Sequence, residues 1–151
     1  MNIKKNLNIA TILPYKENYT FAKASAASLW VSEFFKKSKY KKNNIIYGHT
    51  KSKDYLTKNY KNINLKNLKS KFKSTTNEYS EKLLKEIKSN NFDIVEVHNR
   101  PLLLFKLINK VKSKFIFYFH NDPLSMKGSK SVKERLKILE NVEKIILSVN
   151  G

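Results

Sequence analysis

Phe115-Ile116-Phe117-Tyr118-Phe119-His120-Asn121-Asp122-Pro123 is the stretch whose reading decides the fold. Bulky apolar and aromatic residues run together and stop at His, Asn, Asp and Pro. A short continuous apolar run reads as a strand buried on both faces, as in parallel sheets. One unit earlier the layout repeats: Phe92-Asp93-Ile94-Val95-Glu96-Val97 runs into His98-Asn99-Arg100-Pro101. Open α/β sheets hold their ligands at the C-terminal ends of their strands. The two polar ends are therefore expected to form one wall of a site.

The rest of the chain supplies matching units. Strands are expected at Leu7–Leu13, Asn44–Tyr47, Asn62–Leu65 and Glu143–Val149, besides the two already quoted. Helices are expected at Phe21–Lys37, with Leu29, Trp30, Phe34 and Phe35 as its apolar face, and at Thr76–Ile87, capped by Thr75 or Thr76. Two more are expected at Leu102–Val111, entered through Pro101, and at Ser131–Leu139, with Val132, Leu136 and Leu139 inward. Only 50–76 is hard to read. Strands alternating with helices imply right-handed βαβ units and a parallel sheet. The expected fold is α/β: a Rossmann-like doubly wound parallel sheet of about six strands, in one domain spanning 1–151.

The bulk composition narrows the setting. The chain has 151 residues, no Cys and a formal net charge of +19. Without Cys there is neither a disulfide framework nor a thiolate metal site. The apolar run behind the basic start, Ile9–Leu13, is too short for a signal segment or a membrane span, so a cytoplasmic location is expected. Of 31 basic residues only Arg100 and Arg135 are Arg. Between Lys36 and Lys73 stand thirteen Lys against one acid, Asp54. A solvated face is the first reading of that segment, and a peripheral contact with an anionic membrane surface the second. Nucleic acid comes last, because phosphate recognition favours the planar Arg fork.

The three His residues each follow a strand: His49, His98 and His120. Each alone reads equally as a polar strand terminus. As a pair on neighbouring strands, His98 and His120 read as site residues, joined by Asn99, Asn121 and Asp122. Arg100, in a Lys-dominated chain, reads either as a fork for phosphate, carboxylate or sugar hydroxyls or as an ion-pair partner of Asp122 or Glu96. No metal is expected, because no paired His spacing or carboxylate cluster accompanies them. A dinucleotide fingerprint, a P-loop and a Gly-x-Ser-x-Gly elbow are all missing. The run Ala24-Ser25-Ala26-Ala27-Ser28 leaves room for a phosphate at a helix start.

The order of these features resembles the N-terminal half of family 4 (group 1) glycosyltransferases of the two-domain GT-B type. The resemblance rests on Phe92 to Pro101, Phe117 to Pro123 and Val142-Glu143-Lys144-Ile145-Ile146-Leu147-Ser148-Val149. It covers most of the chain, least between 50 and 75. It implies transfer of a sugar from a nucleotide-activated donor to a glycan or lipid-linked acceptor. It also implies that His120 contacts the transferred sugar as the catalytic residue and that His98, Asn99, Arg100, Asn121 and Asp122 line the substrate cleft. No resident cofactor is implied; the nucleotide sugar is a co-substrate bound mainly by a second, C-terminal half. That half, with its paired Glu residues, is not in this sequence, so the resemblance implies one half of a GT-B fold, inactive without a donor-binding half in cis or in trans. The family's Gly-Gly pair at the first helix is replaced here by Ala24-Ser25-Ala26-Ala27. The alternative is a non-catalytic basic α/β module for an anionic ligand or nucleic acid.

Overall fold

The computed structural model describes residues 6–66 and 74–148. Six parallel strands form one sheet in the order β3-β2-β1-β4-β5-β6. They are β1 (Ile9–Ile12), β2 (Asn44–Gly48), β3 (Tyr60–Asn62), β4 (Ile94–His98), β5 (Lys114–Phe119) and β6 (Lys144–Leu147). Four α-helices connect them: α1 (Ala26–Lys37), α2 (Thr75–Asn90), α3 (Pro101–Leu107) and α4 (Val132–Asn141). The fold is α/β and Rossmann-like, as expected. The basic start 1–5, the end of the sixth strand at Val149, and Lys69, Lys71 and Lys73 lie outside the described residues.

The apolar strands pack between two unequal layers. Ala10, Ile12, Val95, Val97, Phe115, Phe117 and Phe119 point to the face covered by α2, α3 and Ile138 of α4. On the other face Ile46 packs with Val31 and Phe35 of α1 and with Tyr19, Leu56 and Tyr60. Burying one such side chain fully stabilises the fold by roughly 1.5–3 kcal/mol. Strand order reverses between β1 and β4, so the crevice of this sheet opens there, at the C-terminal ends.

Helix ends follow local chemistry. Ser25 caps α1 by accepting from Ser28 N, and Ser74, not Thr75 or Thr76, caps α2 by accepting from Asn77 N. Ser131 and Glu134 form a reciprocal capping box on α4. Asn91 ends α2 in the left-handed region at φ 50°, a conformation Asn tolerates.

Two helix faces differ from expectation. In α1 the inward residues are Ala27, Ser28, Val31, Ser32 and Phe35, while Leu29 and Phe34 are half exposed. The inward face thus mixes Val31 and Phe35 with the small side chains Ala27, Ser28 and Ser32, while Leu29 and Phe34 turn outward. In α4 only Ile138 is buried; Val132, Leu136 and Leu139 face outward. The first helix also starts later than its composition suggests, because Thr20 bridges Tyr55 and Phe21 N donates to Asp54 O. The third strand lies at Tyr60–Asn62, before rather than at Asn62–Leu65.

Candidate functional site

The β4 and β5 ends are neighbours because His98 pairs in register with Tyr118. Asn99 then turns into the left-handed region, φ 55°. Its Oδ1 accepts from His120 N at 3.0 Å and Asn121 N at 3.3 Å, and its own N donates to Tyr118 O at 2.8 Å. One side chain thus ties the two strand ends together.

The imidazoles touch. His98 Nδ1 lies 2.8 Å from His120 Nε2, and His120 Nδ1 lies 2.8 Å from Ser148 Oγ just past β6. The direction of donation follows from His98 Nε2, which is buried without a partner. A stranded N–H there costs more than a stranded lone pair in apolar surroundings. His98 Nδ1–H therefore donates to His120 Nε2, His120 Nδ1–H donates to Ser148 Oγ, and Ser148 Oγ–H is left for Phe119 O at 3.4 Å. Both rings are neutral in this chain. Burial holds both imidazoles below the ordinary value, and for His98 the neighbouring His120 adds to the effect.

A second buried polar chain lies beneath. Thr11 Oγ1 stands 2.9 Å from Glu96 Oε2 and 3.1 Å from Asn44 Oδ1, and Tyr118 Oη–H donates to Glu96 Oε1 at 3.3 Å. The single Thr11 hydroxyl hydrogen is shared between the Glu96 carboxyl and the Asn44 amide oxygen. Burial pushes the Glu96 carboxyl up, against the hydrogen bonds from Thr11 and Tyr118.

The surface of the site is a pocket of about 150 Å³ beside the first turn of α1, walled by Ser25, Ala26, Trp30, Asn99, His120 and Asn121. Trp30 packs 5.2 Å from His120 and 5.5 Å from Tyr118, ring centre to ring centre. The pocket spans the β1–α1 loop and the β4 and β5 ends, at the point where strand order reverses. A larger cavity, about 830 Å³, lies at the opposite sheet edge among Phe92, Asp93, Lys110 and Lys112. Its size does not make it the ligand crevice of an open sheet, which lies at the C-terminal strand ends.

The expected site residues are thus sorted by the fold. His120, Asn99 and Asn121 meet at the pocket. His98 is only 1% exposed and sits behind His120, so it positions that ring and does not itself line the cleft. Asp122 caps a short 3-10 turn by accepting from Leu124 N. Arg100 pairs with neither Asp122 nor Glu96: its Nη2 donates to Tyr15 Oη at 2.9 Å, with the guanidinium 4.8 Å from the Tyr15 ring centre. Ser148, Trp30 and Tyr15 were missed by sequence reasoning. Ser148 carried a signal, as the polar residue that closes the apolar run Ile145-Ile146-Leu147.

Among the described residues no group of His, Asp and Glu side chains is gathered as a metal site. The chain matches no family model, and comparison with curated proteins finds no match.

Proposed function

We propose that residues 1–151 form the acceptor-side half of a GT-B sugar transferase of the family 4 kind, acting with a second body that binds the nucleotide-activated donor. The observation that carries this reading is the pocket at the β1/β4 reversal, where an indole, an imidazole and two Asn side chains converge beside a helix start. Aromatic faces and amide side chains are the groups that suit a hydroxylated ring. His120 contacts the transferred sugar. Its Nε2 is occupied by buried His98, so the exchangeable contact is Nδ1–H, which a sugar hydroxyl takes over from half-buried Ser148. His98 fixes the tautomer that makes this donor available. The acceptor is a glycan or lipid-linked glycan, reached from the cytoplasmic side of a membrane.

Two apolar surfaces support a covering body. Val132, Leu136 and Leu139 form an outward stripe on α4, close in sequence to Leu147 on edge strand β6, and all four are at least half exposed. The decisive experiment is reconstitution with a donor-binding half. Transfer should then require both parts, and His120→Ala should lower kcat by about a hundredfold while the circular dichroism spectrum stays unchanged. Turnover of a nucleotide sugar by residues 1–151 alone, or full activity in His120→Ala, overturns the reading.

A further inference from the structure

A second cavity, about 720 Å³, opens at the C-terminal ends of β1 and β2. Its walls come from two loops that carry Tyr15, Lys16 and Lys23 on one side and His49, Lys51 and Asp54 on the other. Among the described residues none of the three lysines pairs with a carboxylate. The one acid, Asp54, is already engaged: its Oδ2 accepts from Ala22 N at 3.1 Å. Its carboxyl is held below the usual range by hydrogen bonds from Ser52 and Ala22. The cavity therefore carries three ammonium groups against one carboxylate, a positive surplus that attracts an entering anion.

One donor at the wall is pre-oriented. Arg100 Nη2–H donates to Tyr15 Oη at 2.9 Å, which leaves the Tyr15 hydroxyl hydrogen for a ligand and places a further cation behind the ring. The Arg100 Nε is buried without a partner. His49 Nδ1–H is taken by Ile63 O at 2.9 Å, since a carbonyl only accepts, and this fixes the ring at the cavity wall.

We infer that this cavity is an anion site for a phosphate ester or diphosphate carried on a larger organic body. Three separate ammonium groups act as point charges on the several oxygens of a multiply charged phosphate, a role lysine fills without a planar fork. The cavity far exceeds a bare phosphate, and the Ala22 and Tyr15 side chains offer the remainder of the ligand an apolar wall. The inference stands on this cavity alone and does not require the transferase reading.

The test is an amide NMR titration of residues 1–151 with pyrophosphate at fixed ionic strength. Saturable shifts confined to the loops around Lys16, Lys23, His49 and Lys51 are expected. The triple variant Lys16→Gln, Lys23→Gln, Lys51→Gln should weaken binding by about tenfold or more. A charge-matched triple at the opposite edge, Lys88→Gln, Lys110→Gln, Lys112→Gln, should leave it within about twofold. Equal losses in the two triples, or shifts spread over the whole surface, overturn the inference as diffuse attraction. Sedimentation with phosphatidic acid vesicles then separates the sources. Vesicle binding that pyrophosphate competes away and the first triple abolishes marks a lipid phosphate. Pyrophosphate binding without vesicle binding marks a soluble phosphate ester.

Discussion

At the scale of single residues, the site is held by protons that are not charges. His98 and His120 are both neutral, and the sign of the resulting pH dependence follows. Their folded values lie below the ordinary 6.5, so between those values and 6.5 the unfolded chain binds protons that the folded chain refuses. Stability from these groups is complete above about pH 6.5 and falls as pH drops, with a limiting slope of about 1.4 kcal/mol per pH unit for His98. Glu96 acts in the opposite sense. Burial raises its folded value above the ordinary 4.5, so its contribution is complete below pH 4.5 and is lost as pH rises from there through the raised folded value. Denaturant midpoints measured from pH 5 to 8 should show His98→Gln with a flatter acid limb and Glu96→Gln with a flatter alkaline limb; profiles parallel to the parent would contradict the assignment. Glu96→Ala, which leaves Thr11 and Tyr118 without their acceptor, should cost about 1–3 kcal/mol at pH 6. That His98 and His120 end neighbouring strands was legible in the sequence, because apolar runs stop visibly at them. That one His stands behind the other was not, since it depends on cross-strand register and on a left-handed turn at Asn99.

At the scale of elements, the strands were legible and the helix faces less so. Phe115–Phe119 is a continuous apolar run, the pattern of a parallel-sheet strand, and Phe92–Val97 repeats it interrupted by Asp93 and Glu96. In α1 the large side chains Leu29 and Phe34 invite an inward assignment, yet Ser28 and Ser32 occupy the interface. Hydrophobicity alone does not rank Ser28 and Ser32 above Leu29 and Phe34 as inward residues. The β2–β3 pair contains a close approach that the sequence does not announce. A Cβ built on Gly48 would lie 2.8 Å from Tyr60 Oη and 3.1 Å from Tyr60 Cε2. Tyr60 cannot swing away freely, because it is buried and stacked on Tyr19 at 4.9 Å. Gly48→Ala should therefore lower unfolding free energy by about 1–3 kcal/mol. Adding Tyr60→Phe should recover part of that loss, and strict additivity of the two changes would rule out the contact as its cause.

At the scale of the whole molecule, the charge is less organised than the sequence implies. Lys36, Lys37, Lys39, Lys41 and Lys42 precede β2 and lie at the N-terminal edge of the sheet, whereas Lys51 follows β2 at the opposite edge. Among the described residues the dense run in sequence is therefore divided between opposite edges of the sheet. No helix among the described residues is long and apolar enough to cross a membrane. The sheet is also unevenly covered: α2, α3 and α4 share one face, and α1 alone lies on the other. Over β5 and β6 that second face carries half-buried Ile116 and Ile146, although parallel sheets are ordinarily covered on both sides. A partner that covers this face should protect β5 and β6 amides from hydrogen exchange, while leaving β2 and β3 unaffected. Alternation of strands and helices made the architecture legible, but coverage depends on how each helix is rolled, which the apolar pattern of α1 and α4 did not reveal.

Trp30 is the only Trp in the chain, and its ring meets that of His120 edge-on at 5.2 Å. An imidazolium takes an electron from an excited indole far more readily than neutral imidazole does. The intrinsic fluorescence of this protein should therefore respond to protonation of the imidazole pair, His120 first and His98 at 6.1 Å behind it. Emission should be bright at neutral pH and dim as His120 is charged on acidification, and His120→Ala should remove that step. A ligand that draws the His120 hydrogen away from Ser148 should change the same signal without any label.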